Sequence, residues 1–145
     1  MCTIYTTGYE GESITQFIQK LHDNEINCVV DVREIPISRK KGFSKNAIAL
    51  ALKENGIGYV HMKALGSPKG IRDELHATHD YSVFFQKYRC YVVNQLDQIV
   101  EVLHIAKRAR TCLLCFEKDC KTCHRSVIAD IMVNEMPGVD GAVNI

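Results

Sequence analysis

The residues from Thr111 to Ser126 carry the densest chemistry in the chain. Cys112, Cys115, Cys120 and Cys123 fall within them, His124 and Arg125 follow the last cysteine directly, and Glu117 and Lys118 lie between. Thiols, an imidazole and a carboxyl are the groups that attack electrophiles, move protons or hold soft metal ions. Lys121, His124 and Arg125 stand near the expected start of a helix, where the macrodipole disfavours each positive charge by about 0.3–1 kcal/mol. A chain tolerates such a cluster most readily when an anion or a thiolate shares the site.

The spacing Cys112-x2-Cys115-x4-Cys120-x2-Cys123 has the paired look of a structural zinc site, with His124 as a spare ligand. Cys112 and Cys115, however, flank two leucines in a run that reads as a strand. Residues three apart on a strand point to opposite faces. Cys112 is therefore expected in the core and no metal ligands are assigned, with a structural zinc in residues 112–124 as the alternative. Cys123, beside His124 and Arg125 in the first helical turn, has the electropositive surroundings that lower a thiol pKa. Cys115, at a strand end, is the second candidate nucleophile, and the spacing does not choose between them. The Cys-x5-Arg loop of cysteine phosphatases is absent: counted from Cys115, Cys120 and Cys123, the arginine position holds Lys121, Ser126 and Ala129.

Outside this stretch, Asp31 and His61 are candidate acid–base groups alongside Glu117. Asp31 and Glu117 have an alternative role as ion-pair partners of Arg33 and Arg125. Gly8, Tyr9, Arg33, Arg39, Lys118, His124 and Arg125 are the candidate anion contacts.

Placing these residues together requires a particular fold. Thr3 to Thr7 reads as a strand, and Ile14, Phe17, Ile18 and Leu21 repeat at helical spacing behind Ser13, a candidate N-cap. Cys28 to Val32 is a mostly apolar run of the kind buried on both faces of a parallel sheet. Ser44 is the expected cap of a second helix closed by Asn55-Gly56, and a third strand runs from Ile57 to Met62. Residues 71–82 give no clear signal. One long helix, or two broken near Asn94, spans Ser82 to Arg110. A fourth strand runs from Thr111 to Phe116 and a last helix from Cys123 to Glu135. Val139 to Ile145 is an edge strand or a loose tail.

This alternation predicts one α/β domain over residues 1–145, in three layers. Its sheet is mainly parallel, of four or five strands, with helices on both faces. In such folds ligands bind beyond the carboxyl ends of the strands, which would bring Gly8, Asp31, Arg33, His61 and Cys115–Arg125 to one crevice.

Composition sets the surroundings. Apolar residues make up 46% of 145, and no apolar run reaches the roughly 20 residues of a membrane span. Without a basic, apolar leader, the expected location is cytoplasmic, where seven cysteines in odd number do not make a disulfide framework. From Ile35 to Arg72 eight bases face one acid, a local balance of +7 in a chain of net +1. That segregation suggests a basic face for phosphate or nucleic acid.

Four ordered motifs resemble the family known as domain of unknown function 488. They are Thr7-Gly8-Tyr9-Glu10-Gly11, Val30-Asp31-Val32-Arg33 with Pro36-x2-Arg39, Tyr59-Val60-His61-Met62 with Leu65-Gly66, and Leu114-Cys115-Phe116-Glu117-Lys118 with Cys123-His124-Arg125-Ser126. The resemblance implies an α/β fold with these motifs at one end of the sheet, and brings no activity or cofactor with it. It also implies that Cys112 and Cys120 are additions to a Cys115/Cys123 pattern. Two functions stay open: a thiol-dependent enzyme acting on a phosphate-bearing ligand or nucleic acid, and a non-catalytic module that grips nucleic acid or a protein through residues 35–72.

Overall fold

The computed structural model describes all residues from Met1 to Ile145. Five strands, β1 (Cys2–Gly8), β2 (Cys28–Asp31), β3 (Gly58–His61), β4 (Thr111–Cys115) and β5 (Val139–Asn144), form one sheet in the order β3-β2-β4-β1-β5. Every pairing is parallel, with Asp31 level with His61 and Leu114, and Gly8 level with Cys115. The carboxyl ends of all five strands thus share one edge. Val139 to Asn144 joins as an edge strand beside β1, which settles the choice between strand and tail.

The helices are α1 (Ile14–Asp23), α2 (Lys45–Glu54), α3 (Lys69–Thr78), α4 (Tyr81–Val92), α5 (Leu96–Arg108) and α6 (Arg125–Glu135). On one face of the sheet, Phe17, Ile18 and Leu21 of α1 and Ile48 and Leu52 of α2 pack on Tyr5, Val29, Cys112 and Leu114. On the other face, α4, α5 and α6 pack on Ile4, Val30, Leu113 and Cys115. β4 is buried along its whole length, as a central parallel strand covered on both sides must be. Its alternation sends Cys112 with Leu114 into one layer and Cys115 with Leu113 into the other. A shared metal between Cys112 and Cys115 is therefore excluded by the pleat itself.

Local signals account for most boundaries. Ser13 caps α1 through a reciprocal box, its Oγ accepting from Gln16 N at 3.1 Å while Gln16 Oε1 accepts from Ser13 N at 2.9 Å. Ser44 precedes α2 but does not cap it. Its hydroxyl bonds the backbone of Ser38, accepting at 3.0 Å and donating at 3.2 Å, and so closes the basic loop upon itself. The long helical stretch is two helices, α4 and α5, joined by a 3-10 turn at Val93–Gln95. The silent residues 71–82 are largely α3, whose inward side offers only Ile71 and Leu75, both half-buried, too short an apolar stripe to stand out in sequence. No helix is long and apolar enough to cross a membrane.

Candidate functional site

A cleft of about 920 Å³ opens at the carboxyl edge of the sheet. That lies within the roughly 300–1,000 Å³ usual for small-molecule sites. Its floor is Cys115, Glu117, Cys123 and His124. Its walls include Tyr9 and Arg33 from the ends of β1 and β2, and Leu75 and His76 from α3.

Three donor atoms converge on that floor. Cys115 Sγ, Cys123 Sγ and His124 Nδ1 all lie within 4.8 Å of one another, and this buried trio is the set that could hold a metal ion. The imidazole lies 3.9 Å from Cys115 Sγ and 3.8 Å from Cys123 Sγ. Its orientation is fixed from behind, because Nε2 donates to the Val32 carbonyl at 2.7 Å. A nitrogen facing a carbonyl carries the proton, so in the neutral ring Nδ1 presents its lone pair to the two sulfurs. Tyr88 of α4 meets the ring edge-on at 5.1 Å between centroids and is itself anchored on the Leu65 carbonyl at 2.6 Å.

The electrostatics separate the two thiols. Burial opposes ionisation of Cys123, but the hydrogen bond from Cys115 and the neighbouring His124 and Arg125 outweigh it, and its pKa falls well below the ordinary thiol value. Cys115 moves the other way, well above that value, because it hydrogen-bonds Cys123 and is itself buried. For His124, burial works to lower the pKa, yet the negative charge facing it from Cys123 raises it. Burial, reinforced by the charge of Cys123, pushes the Glu117 carboxyl up to about 7. Its Oε2 is buried without any hydrogen-bond partner. Cys112, buried in the opposite layer, is pushed up to about 12 by burial and takes no part.

The arginines have different employment. Arg33 grips Asp31 through two bonds, Nε to Oδ1 at 2.9 Å and Nη2 to Oδ2 at 2.7 Å. Its Nη1 donates to Tyr9 Oη at 3.1 Å and to the Phe43 carbonyl at 2.7 Å. Tyr59 Oη donates to the remaining side of Asp31 at 2.6 Å. Asp31, expected as a general base, is fully buried and committed on both oxygens, and it does not line the cleft. His61 also lies outside it, with Nε2 held at 2.8 Å from the Arg33 carbonyl.

Arg125 belongs to the framework. It is fully buried, and it donates to the carbonyls of Glu117 at 2.5 Å and Lys118 at 3.1 Å and to Asn144 Oδ1 at 3.2 Å. It shapes the Phe116–Lys118 turn from beneath and does not line the cleft. Lys118 is exposed outside the cleft. Gly8 serves the same turn: a Cβ there would lie 1.7 Å from the Glu117 carbonyl oxygen, so only glycine lets the turn rest on the end of β1.

Arg39 and Lys40 do reach the cleft, and neither side chain has an ion-pair partner. Arg72 lines it as well, paired with Glu34 at 2.9 Å, and Lys69 is paired with Asp73 at 2.6 Å. The basic run over residues 35–72 is thus partly neutralised in three dimensions, and its free charges at the cleft are Arg39 and Lys40.

Sequence reasoning singled out Tyr9, Arg33, Arg39, Cys115, Glu117, Cys123 and His124, all of which line the cleft. It gave no role to Tyr59, Tyr88 or Glu34, and it held Lys40 and Arg72 only as members of the basic face. The first two sit in motifs or aromatic stripes that read as ordinary core, and the Glu34–Arg72 pair joins residues 38 apart. Of the four clustered cysteines, Cys120 remains half-exposed on a 3-10 turn outside the trio, so a four-cysteine zinc site does not form.

Comparisons with curated proteins and with solved structures return no match. A family model does match, over residues 13–132, which runs from the cap of α1 into α6 and includes all of the floor residues. By that match the chain belongs to the family described as domain of unknown function DUF488.

Proposed function

We propose that the cleft is the active site of a thiol-dependent enzyme whose substrate is a small anion, most simply a phosphate-bearing ligand such as a nucleotide. The observation that carries this reading is the convergence of two buried sulfurs and an oriented imidazole on the floor of a cleft rimmed by unpaired cations. Structural cysteines need no such imidazole, and a purely adhesive basic face needs no buried sulfur beneath it.

Arg39 and Lys40 hold the anion, with Arg33 contributing field from the wall. Cys115, Cys123 and His124 meet the reacting atom. Glu117, the carboxyl without a partner, gives or takes the proton, as a carboxyl raised toward neutrality by burial is suited to do. Cys123, held toward the thiolate by the hydrogen bond from Cys115, has two chemical uses, attack on an electrophile or, with Cys115, coordination of a soft cation. Either use makes the activity depend on both.

The test combines binding and turnover with inorganic phosphate and a panel of nucleotides. Arg39→Ala with Lys40→Ala is expected to weaken ligand-induced stabilisation about tenfold or more, while Cys115→Ser and Cys123→Ser keep binding and lose turnover. Cysteine variants that turn over at the wild-type rate would sink the thiol role. The alternative adhesive module predicts nucleic-acid affinity that falls steeply with salt through counterion release, and no dependence on Cys123.

A further inference from the structure

We propose that Cys115, Cys123 and His124 bind one zinc ion, so that the sulfurs of the thiol-dependent site act as metal ligands and the reactive centre is the ion facing the cleft. This rests on the reading of the cleft given above and assigns its chemistry.

Geometry carries the inference. Tetrahedral zinc with Zn–S of about 2.3 Å and Zn–N of about 2.0–2.1 Å sets S···N near roughly 3.6 Å and S···S near roughly 3.8 Å. The observed S···N distances are 3.8 and 3.9 Å, and the whole trio fits within 4.8 Å. Closing around an ion therefore asks for small side-chain shifts. The ring is also posed as a ligand should be, with Nε2 anchored on the Val32 carbonyl and Nδ1 turned to the sulfurs, the arrangement that fixes tautomer and raises ligand basicity. Thiolate and imidazole together select zinc over the hard cations that take oxygen donors.

Three protein ligands leave one tetrahedral position vacant, the pattern of reactive rather than structural zinc. Here all three ligands line the cleft. Glu117, with a buried oxygen lacking any partner, stands on the same floor to receive a proton from a water on the ion. Loading exchanges the thiol protons for the ion and releases them to solvent.

The full-length chain, purified without a histidine tag and kept reduced, is dialysed and its metal content measured. About one zinc per chain is expected. Cobalt(II) loading should give intense thiolate-to-cobalt charge-transfer absorption with the visible bands of a tetrahedral site. Cys115→Ser, Cys123→Ser and His124→Gln should each weaken retention about tenfold or more, while Cys120→Ser and Cys90→Ser should not. The cobalt spectrum of wild-type protein needs no variant to fold. Reduced wild-type protein that keeps no zinc and gives no charge-transfer band overturns the assignment, and so does zinc retained equally by all variants. If the metal-free protein turns over fully but alkylation of Cys123 stops it, the zinc fails and the thiol-dependent enzyme survives. If neither chelation nor alkylation changes turnover, both fail.

Discussion

Two polar clusters occupy the same edge of the sheet and differ in one respect. In the Asp31–Arg33–Tyr59 cluster every strong donor and acceptor is matched, down to two bonds on the carboxylate from one guanidinium. In the Cys115–Cys123–His124–Glu117 cluster the sulfurs and Nδ1 are matched only to one another, through long contacts of 3.8 and 3.9 Å, and one oxygen of Glu117 has no partner. Both are buried and both contain residues that read as catalytic in sequence. Buried polar groups are ordinarily satisfied because leaving one unmatched costs about 1–3 kcal/mol. A matched cluster therefore builds structure, and an unmatched one beside a cleft marks where a ligand completes the bonding.

The comparison can be broken by measurement. Asp31→Ala should have the largest effect, about 3–5 kcal/mol in urea unfolding, because it strands the Arg33 charge in the interior. Gly8→Ala follows at about 3 kcal/mol by thermal unfolding, since the new methyl meets a backbone carbonyl that cannot move without lifting the Phe116–Lys118 turn. Tyr59→Phe removes one hydrogen bond to a charged acceptor and should cost about 1.5–2 kcal/mol. Glu117→Gln should change stability by no more than about 1 kcal/mol while turnover falls. Equal losses for Glu117→Gln and Asp31→Ala would show that both clusters serve the fold and would erase the distinction.

What the sequence revealed follows the same line. Strand alternation placed Cys112 and Cys115 on opposite faces correctly, because the pleat is a local property of the backbone. That the sheet is parallel was readable from the alternation of strands and helices and from the apolar runs, whereas the order of its strands was not. Asp31 and Arg125 could not be sorted in advance, since whether a charged side chain faces a cleft or a carbonyl depends on chain segments far away in sequence. Arg125 meets Asn144, and Asp31 meets Tyr59 across 28 positions. α3 was silent for a different reason: a helix that turns only Ile71 and Leu75 inward writes a faint pattern.

That silence has a dynamic counterpart. α3 forms one wall of the cleft through Arg72, Leu75 and His76, yet Ile71 and Leu75 are only half-buried, and its ion pairs to the rest of the chain are Arg72 to Glu34 and Glu74 to Lys87 at 2.5 Å. With no side chain fully buried, its local opening free energy should sit at the low end of the molecule. Amide hydrogen exchange is expected to be fastest among the helices in residues 69–78, and faster still in high salt. The melting of ten residues would then widen one wall of the cleft while the sheet edge and the Cys115–His124 segment stay in place.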